Sequence, residues 1–222
     1  MAQPACRAVC FDLDGTLLDT VEDLAAALNA VLAHRGFPPH SLDDYKSFVG
    51  EGAALLVERA LPERVRHRDM VTACLTEFRD AYGRAWNVQS RLYEGIAVLL
   101  DGLVDRGIRL AMLSNKPHRY TVQCAEHYFS QWSFEAVYGQ LEDIPKKPDP
   151  AGAFRIAGDL GIAPEHFLFV GDSGVDMQTA LAAGMAPIGV SWGYRPVEEL
   201  QSAGAQFRID TPTALLEIVD RA

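Results

Sequence analysis

Cysteine is scarce in this chain. The four present, Cys6, Cys10, Cys74 and Cys124, form no Cys-x-x-Cys pair and no zinc-site spacing, which excludes a disulfide or zinc scaffold and predicts reduced thiols in a core. Positive charge is also in short supply: 20 Lys and Arg face 30 Asp and Glu, a formal net charge of -10. The far field therefore repels nucleic acid and anionic membrane, and an anionic substrate needs a local cation. No apolar run is long enough to cross a bilayer, and Met1 to Arg7 lacks a basic flank leading to an apolar stretch and cleavage site. The expectation is a cytoplasmic protein that partners neither nucleic acid nor membrane; oligomeric state is not readable. Internal repeats and low-complexity tracts are missing, and the six histidines show no metal-ligand spacing.

What is present begins with Ala8-Val9-Cys10-Phe11, an apolar run that reads as a buried strand and ends in Asp12-Leu13-Asp14-Gly15-Thr16. Two carboxylates at a buried strand end are costly unless a metal or cationic side chains balance them. Thr20 with Asp23 three residues on resembles a helix-capping pattern, opening an apolar stripe through Leu24, Leu28, Val31 and Leu32; Gly36, Pro38 and Pro39 close that helix. That stripe fits packing within its own helical block better than a partner surface. From Ser41 to about Asn87 only helical periodicity appears. Beyond about Ser90, helices alternate with short strands at 109–113, 136–138, 167–170, 188–190 and 207–209.

That alternation predicts an α/β fold, a Rossmann-like parallel sheet with right-handed crossovers. The helical stretch interrupts it after the first strand. The expected organisation is a core of residues 1–19 and 91–222 with an inserted all-α cap over residues 20–90.

In an open parallel sheet the C-terminal strand ends face one crevice, where such folds bind ligands. Asp12 and Asp14, Ser114 and Asn115, and Asp172 with Asp176 all fall at strand ends, and Lys147 lies in a proline-rich loop, Pro145 to Pro150. Together they offer oxygens for a hard divalent cation and donors for a phosphoryl group. Each also has a plainer role open to it: Ser114 as a helix cap, Lys147 as a solvated charge beside Lys146, Asp176 as an acid at a helix start.

These residues resemble the motifs of the haloacid dehalogenase superfamily, specifically its phosphatases with a helical cap after the first strand. Asp12 to Thr16 is similar to the first motif, Ser114-Asn115 to the second, Lys147-Pro148 to the third and Gly171 to Asp176 to the fourth. The resemblance implies phosphomonoester hydrolysis with Mg2+ and an aspartyl-phosphate intermediate. It makes Asp12 the nucleophile and Asp14 the general acid and base. Ser114 and Lys147 hold the phosphoryl oxygens, and Thr16 and Asn115 bind substrate beside them. Asp12, the backbone carbonyl of Asp14 and Asp172 hold the metal, and Asp176 contacts metal waters or orients the lysine. Dehalogenase and phosphonate-cleaving branches lack an aspartate at position 14, and the sugar-phosphate mutase branch places a histidine where this chain has Leu24.

The segment Phe48 to Ala53, with Gly50, Glu51 and Gly52, continuing to Arg59, is similar to the cap segment of phosphoglycolate phosphatases, as are Ser114 to Pro117 and Gly189 to Tyr194. This implies 2-phosphoglycolate as substrate with Gly50, Glu51, Gly52 and Arg59 as binding residues. The two glycines fit a mere break between cap helices equally well. Phosphatases of a sugar phosphate, an amino-sugar phosphate or a nucleotide share much of the pattern. A mutase and a non-catalytic phosphate-binding protein are the remaining alternatives.

Overall fold

A computed structural model describes residues 5–221; residues 1–4 of the N-terminal segment considered above lie outside it. In chain order the elements are β1 (Ala8–Phe11), β2 (Leu18–Asp19), α1 (Val21–His34), α2 (Leu42–Phe48), α3 (Ala53–Ala60), α4 (Arg68–Arg84), β3 (Arg91–Leu92), α5 (Ile96–Asp105) and β4 (Arg109–Pro117). There follow α6 (His118–Tyr128), β5 (Phe134–Gln140), α7 (Ala151–Leu160), β6 (Phe167–Gly171), α8 (Gly174–Ala183), β7 (Ala186–Val190), α9 (Val197–Ser202), β8 (Phe207–Ile209) and α10 (Ala214–Arg221).

Six strands form one parallel sheet in the order β5-β4-β1-β6-β7-β8, so β1 lies between β4 and β6. Side-chain alternation divides the strands between two cores. Val9, Phe11, Leu110, Met112, Leu168 and Val170 pack with Leu99 and Leu103 of α5 and Leu215 of α10. Ala8, Cys10, Ala111, Leu113, Phe167 and Phe169 meet Ile156 of α7 and Ala180 of α8 on the other face. Strands covered on both faces must read as continuous apolar runs, as Ala8–Phe11 and Phe167–Val170 do. Truncating Phe11 to Ala would cost about 3–5 kcal/mol.

Helices α1 to α4 enclose a third apolar cluster, in which Leu24, Leu28 and Leu32 of α1 meet Tyr45, Leu56, Val57 and Phe78. The stripe on α1 is therefore consumed internally. The chain leaves β1 and returns through an antiparallel pair, Leu18 opposite Leu92 and Asp19 opposite Arg91.

Two local expectations are corrected. Thr20 is the N-cap of α1, but its side chain makes no capping bond; its hydroxyl donates to Asp14 Oδ1 at 2.7 Å. Asp23, the other half of that pattern, accepts from the backbone N–H groups of Gln89 (2.9 Å) and Ser90 (2.9 Å) and from Ser90 Oγ (2.6 Å), tying the two ends of the helical block together. Strand β4 also runs past Ser114 and Asn115 to Pro117, with a register shift against β5 between Leu113 and Pro117. The helix after it is capped at Pro117, so Ser114 is not its cap.

Candidate active site

Asp12 is the first residue beyond β1, and its N–H donates to the Val170 carbonyl at 2.9 Å, fixing it beside the end of β6. Asp12, Asp172 and Asp176 are buried and each brings a carboxylate oxygen within 4.8 Å of the others. Lys147 Nζ reaches into this cluster, donating to Asp12 Oδ1 at 2.8 Å and Asp176 Oδ1 at 2.6 Å. Its solvated-charge alternative is therefore excluded. Asp176 has both oxygens engaged, since Oδ2 accepts from Ser173 Oγ (2.6 Å) and N–H (3.1 Å) in a capping box at the start of α8. It is thus a helix-start acid and a lysine anchor at once.

Room for Asp172 is made by glycine. Gly15 has φ +88°, and a Cβ there would lie 2.3 Å from Asp172 Oδ2; one on Gly193 would lie 2.2 Å from Asp172 Cβ. The Asp172 carboxylate accepts from the Tyr194 N–H at 2.7 Å.

The charge is not fully balanced by protein. Burial, followed by the repulsion of Asp176, pushes Asp12 up to about 7 despite Lys147. Burial and the neighbouring charges of Asp176 and Asp12 push Asp172 well above the usual carboxylate range. Lys147 itself is raised: burial opposes its charge, but Asp12 and Asp176 outweigh burial. An all-oxygen donor set with surplus negative charge fits a hard divalent cation.

One prediction follows from that repulsion. Asp172→Asn is expected to raise the Tm of the metal-free protein by about 2–4 °C per kcal/mol of burial cost and repulsion relieved, while abolishing divalent-cation binding. An unfolded Asp loses its proton near pH 4, whereas folded Asp172 keeps it to higher pH. Between those limits the folded state binds more protons and wild-type stability falls as pH rises. The gain of the variant should therefore be absent near pH 4 and grow toward neutrality. A lower Tm at pH 7 in EDTA would contradict it.

Asp14 faces a different environment. Lys116 Nζ contacts its two carboxylate oxygens at 2.9 and 3.1 Å, and Thr20 Oγ1 also donates to Oδ1. Lys116 lies 4.8 Å from the centre of the Tyr82 ring. Burial pulls this ammonium down, but the Asp14 charge outweighs it and Lys116 is held well above its ordinary value. Sequence reasoning treated Lys116 only as part of a motif string; a lysine directly after a strand-end Ser-Asn pair was the available signal.

Asp12, Asp14, Ser114, Asn115 and Lys116 line a cavity of about 50 Å³ together with Gly50, Gly52, Leu56, Phe78 and Tyr82 of the helical block. Leu24 lines it too, where a proton-relaying side chain would have to stand. Ser114 Oγ accepts from the Lys116 N–H at 3.2 Å. Asn115 braces both sides, donating to the carbonyls of Gly50 (3.1 Å) and Lys147 (3.0 Å) and accepting from the Lys147 N–H (2.8 Å).

Three residues expected to bind substrate are not at this cavity. Glu51 and Arg59 pair with each other, and Arg59 Nη1 also donates to the Phe48 carbonyl at 3.1 Å, so they stiffen the α2–α3 turn. Thr16 is wholly buried, its hydroxyl without a partner among the described residues.

A clamp absent from the sequence reading is Arg195. Its guanidinium donates to the carbonyls of Ser47 (2.7 Å), Lys46 (3.2 Å) and Val49 (2.8 Å) at the end of α2, while Lys146 Nζ donates to the Glu51 carbonyl at 2.7 Å. Both hold the helical block over the site. Arg195→Ala should loosen the hold on the α2 end and raise KM about tenfold with a smaller change in kcat. An unchanged KM in steady-state kinetics would show that the clamp does not shape the binding site.

A family model described as haloacid dehalogenase-like hydrolase matches residues 6–184. A phosphoglycolate phosphatase from Pseudomonas putida is 36% identical over 214 residues, 95% of this chain and 78% of the relative. One from Vibrio parahaemolyticus is 31% identical over 99% of this chain and 98% of its own length. Among solved structures, a crystal structure of a predicted phosphoglycolate phosphatase from Haemophilus somnus superposes with a TM-score of 0.89 at 28% identity, covering 98% of this chain and 99% of the other. No helix among the described residues is long and apolar enough to cross a membrane.

Proposed function

The chain belongs to the haloacid dehalogenase-like hydrolases, and from that membership we propose that it is a cytoplasmic, magnesium-dependent phosphomonoester hydrolase acting on 2-phosphoglycolate through an aspartyl-phosphate. In this reading residues 20–90 are a cap inserted into a catalytic core of residues 1–19 and 91–222. The observation that carries the chemistry is the division of the two leading carboxylates: Asp12 sits in the Lys147–Asp172–Asp176 cluster, Asp14 against Lys116 and Thr20. The named relatives support the substrate.

Asp12 attacks phosphorus, forming an Asp12 O–P bond as the ester P–O bond breaks, and Asp14 gives its proton to the departing alkoxide oxygen. Water then attacks the same phosphorus, Asp14 takes its proton, and cleavage of the Asp12 O–P bond releases phosphate and restores the carboxylate. Glycolate and inorganic phosphate are the products. Ser114 and Lys147 hold the phosphoryl oxygens, and Asp176 keeps Lys147 in place. Asp12, Asp172 and the Asp14 carbonyl would hold the magnesium ion, which supplies charge neutralisation at the phosphoryl oxygens. The cap excludes bulk water.

The test is phosphate release by the full chain across a panel of small phosphomonoesters. Expected are the highest kcat/KM for 2-phosphoglycolate and loss of activity in EDTA, restored by magnesium. A higher kcat/KM for another ester, or indifference to EDTA, would contradict the reading.

A further inference from the structure

We propose that Lys116 and Tyr82 form a subsite for the substrate's second anionic group, a carboxylate one carbon from the ester oxygen, and so set selectivity for 2-phosphoglycolate over uncharged esters of equal size. The inference rests on the phosphomonoesterase reading above. Two independent features support it. Lys116 is a buried ammonium, 6% exposed, in a cavity whose other walls include Leu24, Leu56 and Phe78. Tyr82, contributed by α4 and only 2% exposed, lines the same cavity, and its hydroxyl stands beside the Lys116 ammonium without a hydrogen bond of regular geometry to any of the described residues. A buried donor left without a partner costs free energy, and an incoming acceptor recovers it.

Reach decides which acceptor fits. Lys116 Nζ is 2.9 Å from Asp14, the residue that must meet the leaving oxygen, so an anion on Lys116 lies close to that oxygen. A carboxylate on the carbon attached to it satisfies this; one several carbons farther away does not. The ammonium has three N–H donors, so it can hold the substrate carboxylate while keeping a contact to Asp14. Apolar walls lower the local dielectric and strengthen the pair. In a chain of net charge -10, this buried cation attracts a small dianionic or trianionic ester that the far field repels.

The experiment compares kcat/KM for 2-phosphoglycolate with that for ethyl phosphate, which carries a methyl in place of the carboxylate, in wild type, Tyr82→Phe and Lys116→Met. The wild type should prefer 2-phosphoglycolate. That preference should fall about tenfold in Tyr82→Phe and on the order of 30-fold or more in Lys116→Met, mainly through KM. Equal losses on both substrates would mean that Lys116 merely positions Asp14, and would overturn the subsite. Tyr82→Phe deletes a hydroxyl that makes no hydrogen bond of regular geometry, so its Tm should stay close to wild type, and it carries the test if Lys116→Met does not fold. Wild type alone gives a second measure: the advantage of a carboxylate over a methyl should shrink from 2-phosphoglycolate to its homologue one methylene longer. A wild type that hydrolyses both esters without preference overturns the subsite alone; one that hydrolyses neither overturns the hydrolase reading with it.

Discussion

Asp12→Asn is expected to lower phosphate release from 2-phosphoglycolate by on the order of 10⁴-fold or more, with circular dichroism close to wild type and a Tm in the metal-free protein no lower than wild type. An amide oxygen still accepts the Lys147 ammonium that donates to Asp12 Oδ1 at 2.8 Å, so the packing around β1 persists. What is lost is the anionic oxygen that attacks phosphorus. No neighbour substitutes for it: Asp176 has both oxygens engaged and Asp172 lies beyond the cavity lining. Retention of even a hundredth of wild-type turnover would remove Asp12 from the nucleophile's role.

Asp14→Asn is the second large effect, a loss of about 10²–10⁴-fold, the usual contribution of a positioned acid and base. Magnesium affinity should change little, because the proposed metal contact is the backbone carbonyl of residue 14. The loss should also depend on the leaving group. An alkoxide such as glycolate needs a proton as it departs, whereas p-nitrophenolate does not, so formation of the phosphoenzyme from p-nitrophenyl phosphate should suffer less. Equal losses in that first step for both esters, or lost metal affinity with turnover retained, would contradict this division of labour. Asn at position 14 can still accept from Thr20 and Lys116 through its one oxygen, so the main contacts persist while the proton-transferring carboxyl and the second Lys116 contact are lost.

The strands were legible because parallel strands buried on both faces must be written as apolar runs, and Ala8–Phe11 and Phe167–Gly171 appear where the pattern puts them. The strand-end acids were legible for the same reason: a carboxylate directly after such a run has few purposes. Contacts between segments distant in sequence were not legible. Thr20 looks like a helix cap because capping depends on local spacing, yet its hydroxyl turns to Asp14, and Asp23 turns to the backbone of Gln89 and Ser90. Lys116 acquires its meaning from a partner 102 positions away, and Arg195 from carbonyls nearly 150 positions away. Glu51 and Arg59, eight residues apart, satisfy each other, a pairing that their spacing in the sequence did not signal.

The central claim is that phosphate passes through Asp12. Acid quench of wild-type protein turning over 2-phosphoglycolate with a labelled phosphoryl group, followed by peptide mapping, measures this directly. A phosphoryl group on the peptide containing Asp12, labile to mild base and missing in Asp12→Asn, is the predicted result. Turnover with label confined to free phosphate, or bound to any other residue, would contradict it.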